Sequence, residues 1–399
     1  MVITGMGCVT ALGLGVDRLW QGARSGKSGV KLLNLERTQQ QQVQTAAHLD
    51  AFNPSSCLDK TIVDSTDRFA QFALIAAMEA VQQASADAPL PINERTGVIV
   101  GSGIGGARTS DDQHFAFYVS KTRIDPFTIP RVMPNAAASH ISMRYGAKGP
   151  SFAVSSACSS GSQSIGLGLQ AIRSGSIDTC FVGGSEALIT PATFRSWEVL
   201  RVMTSTLCRP FSKGRNGMVL GEGAAVIIIE AEDTAQSRGA KPIAILAGYG
   251  TSSDAGDIVR PDPDGAARCI RLALDDAELK PADVGYVNAH GTGTVLNDIS
   301  ETMALQAAFG QDIASVSVSS TKPIHGHALG AAGAIELVIA VCALRDQVAP
   351  PTINWVEADP RCIPNPVANI ALSREIPAAL SNSFAFGGIN ACLAVTRAT

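Results

Sequence analysis

The stretch Ser151-Phe152-Ala153-Val154-Ser155-Ser156-Ala157-Cys158-Ser159-Ser160-Gly161-Ser162 decides how the rest of the chain is read. Four residues suited to a buried strand run into a thiol set among small side chains, and helical spacing follows from Gln163 to Arg173. A cysteine at such a junction meets unpaired N–H groups and the positive end of the helix dipole, which bias it toward thiolate. Thiolate sulfur attacks carbonyl carbon. Alone, the same pattern describes an inert buried cysteine, because free Cys is among the most buried residue types. Two histidine motifs far downstream favour the nucleophile.

Strand-like and helix-like segments alternate on both sides of this stretch. Val98-Ile99-Val100, Thr179-Cys180-Phe181-Val182 and Ala225-Val226-Ile227-Ile228-Ile229 are continuous apolar runs, as strands covered on both faces are. Arg68 to Ala84 and Ala266 to Leu274 carry helical spacing instead. Alternation of this kind predicts α/β layers. A polar connector, Ala231 to Pro242, precedes another strand at Ile243-Ala244-Ile245-Leu246 and sets a seam between two halves, residues 1–240 and 241–399. Each half has a strand leading into a reactive motif, Ala153-Val154 before Cys158 and Tyr286-Val287-Asn288 before His290. No repeat is strong enough to prove duplication.

Composition narrows the function. With 46% apolar residues the 399-residue chain can bury a large core. Its 31 basic and 35 acidic residues leave a net charge of -4 with no long run of either sign, which argues against nucleic acid as a main partner. Nine scattered cysteines without a C-x-x-C pair predict reduced thiols and a cytoplasmic protein. The opening Met1-Val2-Ile3-Thr4-Gly5-Met6-Gly7 reads as a strand entering a glycine turn, not a charged leader. The longest apolar run, Ala328 to Leu344, is interrupted by Glu336 and fits a buried helix better than a membrane span.

Three further motifs carry chemistry. Val287-Asn288-Ala289-His290-Gly291-Thr292-Gly293-Thr294 presents an imidazole at a strand end with hydroxyls beside it. Ser320-Thr321-Lys322-Pro323-Ile324-His325-Gly326-His327 leads into Ala328-Leu329-Gly330-Ala331-Ala332-Gly333. Near the C-terminus, Asn382-Ser383-Phe384-Ala385-Phe386-Gly387-Gly388-Ile389-Asn390 holds a glycine pair that lets backbone N–H groups approach a ligand. A lone His or a glycine turn is unspecific. The four in this order resemble the β-ketoacyl-[acyl-carrier-protein] synthases, elongating condensing enzymes of the thiolase fold. Val2-Ile3-Thr4-Gly5-Met6-Gly7, Gly101-Ser102-Gly103-Ile104-Gly105-Gly106 and Arg209-Pro210-Phe211 with Gly221-Glu222-Gly223-Ala224 extend the resemblance over residues 1–399.

The resemblance implies a five-layered αβαβα core of two pseudo-symmetric halves, dimeric with itself or with a related ketosynthase-like subunit. It matches Cys158 to the nucleophile, His290 and His327 to the two active-site histidines and Lys322 to the lysine. Glu301 and Asp298 match acidic positions after His290, with Glu301 supporting the lysine and Asp298 on the substrate side. Backbone N–H groups of Cys158 and Phe386 would form an oxyanion hole, and Phe386 would gate the acyl pocket. Ile104 matches a residue lining that pocket, and Thr292 and Thr294 match hydroxyls along the phosphopantetheine arm. Lys121, Arg123 and Arg201 are the candidates for docking an acidic acyl carrier protein. The implied reaction is decarboxylating condensation, with no organic cofactor and no metal.

Other readings are weaker. His325 and His327 form a His-x-His pair, but structural zinc sites show Cys pairs at short spacing. Gly101 to Gly106 lacks the Lys-Ser/Thr of a phosphate loop and an acidic ribose partner. Thiolases carry a second reactive cysteine where this chain has Phe386-Gly387-Gly388, and chain-length-determining subunits lose the nucleophile. Departures from the family, His325, Ala385, Ile389 and Gly293, bear on substrate. Gly293 resembles polyketide-type and nodulation-type synthases, so the resemblance spans fatty acid and polyketide or polyene pathways.

Overall fold

The computed structural model describes residues 1–36 and 41–398. Ten strands build the sheet that carries the site. They are β1 (Val2–Thr10), β2 (Thr96–Gly101), β3 (Ser151–Val154), β4 (Thr179–Glu186), β5 (Gly223–Glu230), β6 (Ala244–Ser253), β7 (Val284–Asn288), β8 (Ser317–Ser319), β9 (Ala378–Ala385) and β10 (Ile389–Thr396). The short strand Gly13–Leu14 pairs with β1 off this path.

The spatial order is β8-β7-β9-β10-β6-β1-β5-β4-β2-β3. Counted along the chain, each half therefore reads third, second, fourth, fifth, first. Pairing repeats too: β2 is parallel to β3 and β4, and β7 is parallel to β8 and β9. The last two strands of each half turn antiparallel. The halves meet where β1 and β6 pair antiparallel at Val2↔Ile245 and Ile3↔Ala244. Duplication that the letters did not prove is thus plain in the topology.

Helices complete five layers. Helix α1 (Arg68–Ala84) covers β1, β5 and β4 from outside. Its first turn is capped by Asp67, whose carboxylate accepts from the Phe69 N–H at 3.2 Å. Between the two halves of the sheet lie α2 (Ser160–Arg173), after β3, and α3 (Ala332–Asp346), after β8. Helix α4 (Pro263–Asp276) covers β6 and β10 from the other side, with α5 (Val295–Phe309) against it. Every residue from Ala332 to Leu344 is buried, so this helix is apolar all round, as a helix covered on every side must be. Glu336 is the charged exception among them.

Two local expectations change. Strand β3 is not buried: it ends the sheet with no strand on its outer side among the described residues, and Phe152 is 41% exposed. The helix after Cys158 begins at Ser160, not Gln163, and a tight turn over Ala157–Ser159 precedes it. The pairing of motifs also shifts. By strand order, the counterpart of the Cys158 junction is the segment after β8 that carries Lys322 and His327, while His290 corresponds to the loop Ser102–Gly106 after β2.

Candidate active site

Parallel strands end at the site, where open α/β sheets place their ligands. After β3 the chain bends through Ala157, whose φ of 51° lies in the left-handed region that residues with a Cβ rarely adopt. Small hydroxyls hold the bend. The Ser156 N–H donates to Ser160 Oγ (2.9 Å), Ser160 Oγ donates to the Ala157 carbonyl (2.6 Å), and Ser159 Oγ donates to the Ser156 carbonyl (2.8 Å). The serines that surround the thiol in the sequence are therefore its scaffold. Gly161 lets the two central helices close on it: a Cβ there would lie 2.9 Å from the Gly330 carbonyl oxygen and 3.1 Å from Ala334 N.

His290 follows β7. The carboxylate of Glu301 accepts from the N–H groups of His290 (2.8 Å) and Gly291 (2.7 Å), which fixes the turn that aims the ring. His327 is fixed differently. Its N–H donates to the Val219 carbonyl (2.7 Å) and its carbonyl accepts from the Gly221 N–H (2.9 Å), a short bridge from the N-terminal half. The imidazoles meet edge to face with centroids 5.3 Å apart, and His327 Nε2 lies 3.1 Å from Cys158 Sγ. Cys158, His290 and His327 thus converge from three separate parts of the chain.

Behind them is a closed group of charges. Lys322 Nζ donates to the Glu336 carboxylate, and both side chains are fully buried. This corrects the role expected of Glu301: the carboxylate paired with the lysine belongs to Glu336, while Glu301 is engaged by the backbone of the His290 turn. The signal was present, since a lone acid inside an apolar helix needs a partner. His325 shares this interior, with Nε2 3.0 Å from Thr321 Oγ1 and 3.9 Å from Glu336 Oε1.

Burial governs the protonation states. It pushes the Cys158 thiol up to about 12, against the pull of the Lys322 charge and of the Phe386 N–H, which donates to the sulfur. Burial therefore favours the thiol, a direction opposite to the thiolate bias expected of the helix terminus. Burial, and then the Lys322 charge, hold His290 and His327 well below the usual imidazole range, so both rings are neutral. Burial and then Lys322 also take His325 down to about 3. Glu301 and Glu336 are each pushed up to about 7 by burial, opposed by the backbone N–H groups of Gly291 and His290 in one and by Lys322 in the other.

A cavity of about 260 Å³ leads to the sulfur and is lined by Cys158, both histidines, Thr292, Thr294, Asn297, Arg201, Trp197 and Phe386. The threonine hydroxyls lie 2.9 Å apart. Phe386 stacks on Trp197 with centroids 5.9 Å apart and planes at 18°. Trp197, like Glu336, escaped the sequence reading, and nothing in its neighbourhood of letters marked it.

Other expected residues stand elsewhere. Asp298 is fully buried and does not line the cavity. It accepts from the N–H groups of Phe211 (2.9 Å) and Gly293 (3.2 Å) and pairs with Arg215 at 3.3 Å, so it holds the threonine loop from behind. Ile104 is 43% exposed and outside the cavity lining. The turn around it wraps the Glu186 carboxylate, which accepts from Gly103 N–H (2.7 Å) and Ile104 N–H (3.3 Å). Lys121 and Arg123 are exposed in a connection that does not line the cavity, whereas Arg201 does.

A thiol, two neutral imidazoles and a narrow cavity between duplicated α/β halves define a thiolase-fold acyl-transfer site. Profiles described as "Beta-ketoacyl synthase, N-terminal domain" and "Beta-ketoacyl synthase, C-terminal domain" match residues 1–235 and 243–356. The chain belongs to the β-ketoacyl synthase family. It is 40% identical over 405 residues to the 3-oxoacyl-[acyl-carrier-protein] synthase 2 of Staphylococcus aureus (strain COL), covering 98% of this chain and 97% of that one. It is also 40% identical over 401 residues to Nodulation protein E of Rhizobium leguminosarum bv. trifolii, covering 99% and 98%. Among solved structures, the ishigamide ketosynthase/chain length factor matches with a TM-score of 0.94 and 32% identity over 100% of this chain and 99% of that one.

Proposed function

We propose that the chain is an elongating β-ketoacyl-[acyl-carrier-protein] synthase that performs a decarboxylating Claisen condensation in fatty acid or polyketide synthesis. The observation that carries this is the convergence of Cys158, His290 and His327 on one cavity end. In the first half-reaction the Cys158 sulfur attacks the acyl-carrier thioester, its proton passes to the departing carrier thiol, and an acyl-Cys158 thioester remains. Backbone N–H groups of Cys158 and Phe386 stabilise the tetrahedral oxyanion, each such donor being worth about 3 kcal/mol of barrier. In the second, malonyl-carrier loses CO2, and its electron pair becomes an enolate held by N–H donors of the two neutral imidazoles. The enolate carbon attacks the acyl-Cys158 carbonyl, releasing the thiolate and 3-oxoacyl-carrier two carbons longer. The malonyl carboxylate supplies the driving force, so the reaction calls for no organic cofactor or metal.

The carrier's phosphopantetheine arm would enter past Thr292 and Thr294, with Arg201 at the cavity as an anchor for an acidic carrier. A second subunit, identical or related, would cover the end of the sheet at β3. The helices Ala107–Tyr118, Thr128–Val132 and Ala136–Tyr145 pack in sequence toward that edge and leave Phe117, Phe127, Ile129, Met143 and Phe152 exposed. All nine cysteines are unpaired, which suits a reducing cytoplasm. No helix among the described residues is long and apolar enough to cross a membrane.

The deciding experiment supplies acyl-carrier and malonyl-carrier and follows CO2 and the intact mass of the chain. The expected result is one acyl group on Cys158, then 3-oxoacyl product with stoichiometric CO2. A coenzyme A thiolase would release no CO2, and a non-catalytic chain-length subunit would gain no acyl mass.

A further inference from the structure

The residues that would accept the acyl group also form a set of ligands. Cys158 Sγ and one nitrogen from each of His290 and His327 lie within 4.8 Å of one another, and all three residues are buried. The Cys158 to His327 separation is 3.1 Å. A tetrahedral zinc ion, with Zn–S about 2.3 Å and Zn–N about 2.0–2.1 Å, holds such atoms roughly 3.3–3.6 Å apart. Side-chain movements of about an ångström therefore convert the cluster into three zinc ligands, with the cavity leaving a fourth position for water. We propose that Cys158, His290 and His327 bind a thiophilic divalent cation, zinc, and that the bound ion reversibly blocks the acyl-accepting thiol.

The chemistry of the donors supports this. One thiolate and two imidazoles suit zinc and exclude the oxygen-seeking magnesium and calcium. Each imidazole brings one nitrogen into the cluster, close enough to the sulfur to share an ion. Binding displaces the thiol proton: Zn²⁺ and Cys158–SH give the Zn–S bond and one proton, which leaves with the displaced hydration water. The shell behind the ligands is thin. Nδ1 of His290 and of His327 has no hydrogen-bond partner among the described residues, whereas resident metal sites anchor that nitrogen. That difference makes the ion a reversible occupant, set by free zinc, and not a built-in cofactor. No other group of three such side chains converges this way among the described residues.

The inhibitory part rests on Cys158 being the acyl acceptor; the binding part does not. Purified full-length chain is titrated with Co²⁺ and Zn²⁺. The expected result is one Co²⁺ per chain with a thiolate-to-cobalt charge-transfer band, displaced by Zn²⁺. Cys158→Ala should abolish the band and weaken binding at least tenfold, and His327→Ala should weaken it similarly. Alkylating Cys158 in the wild type gives the same readout without a substitution, and Cys57→Ser should change nothing. A band and affinity that survive both removal and alkylation of Cys158 would overturn the site. In the activity arm, Zn²⁺ should stop acyl loading and a chelator should restore it, while loading that continues at metal saturation would overturn the inhibition. No loading in metal-free protein would count against the condensing-enzyme reading, and the cobalt titration would still decide the metal site.

Discussion

His327 Nε2 faces Cys158 Sγ across 3.1 Å at the inner end of the cavity, where both side chains are buried. Burial keeps a proton on the sulfur and leaves the His327 ring neutral. Iodoacetamide labelling of Cys158 should therefore keep rising through pH 8–10 without levelling, because burial pushes the thiol up to about 12 from an ordinary value of about 8.5. The linkage has the matching sign. The stability this thiol contributes is full below its unfolded value of about 8.5 and is lost as pH rises toward the folded value. A labelling plateau at pH 8–9 would refute the protonated resting state.

The buried pair Lys322–Glu336 should be costly to break and cheap to remove. Lys322→Met leaves a carboxylate with no counter-charge and should cost about 3–5 kcal/mol in urea unfolding. The double change Lys322→Met with Glu336→Leu should recover most of that loss. Equal losses in the single and double variants would show that the two charges do not depend on each other.

His290 makes no hydrogen bond to the sulfur, although it lines the same cavity. His290→Ala should lower CO2 release from malonyl-carrier at least ~100-fold, the scale of one lost donor to developing charge. Acyl loading should stay within a few-fold of wild type. His327→Ala should slow both half-reactions. Intact-mass kinetics and CO2 assays separate the two, and equal loss in both for His290→Ala would contradict the division of labour.

The stack between Phe386 and Trp197 should restrain Phe386, the residue expected to gate the acyl pocket. A double-mutant cycle on Trp197→Ala and Phe386→Ala, read as acyl-loading rate, should show coupling of about 0.5–1.5 kcal/mol. Additive effects would mean the contact does not restrain Phe386.

Much of this architecture was legible because periodicity and burial coincide. The helix Arg68–Ala84 and the strands around Val98, Phe181 and Ile227 carry their exposure pattern in their letters. So did the convergence of Cys158, His290 and His327, through motifs whose order is unmistakable together. What failed to show was partnership at a distance. Glu301 and Glu336 are both acids near Lys322, and only the path of the central helix settles which one meets it. The exposure of Phe152 follows from strand order, which no local run of residues encodes. The outward turn of Ile104 follows from Glu186, 82 positions away.

The matching strand orders of the two halves have a chemical consequence. Equivalent junctions follow β3 and β8, yet one became the home of a sulfur and the other of a cation and an imidazole. Two identical subunits could never diverge in this way, since every change would appear on both sides of their axis. Carried in one polypeptide, the two copies are free of that symmetry, so the sulfur of one junction and the imidazole of the other can differ while facing each other at 3.1 Å.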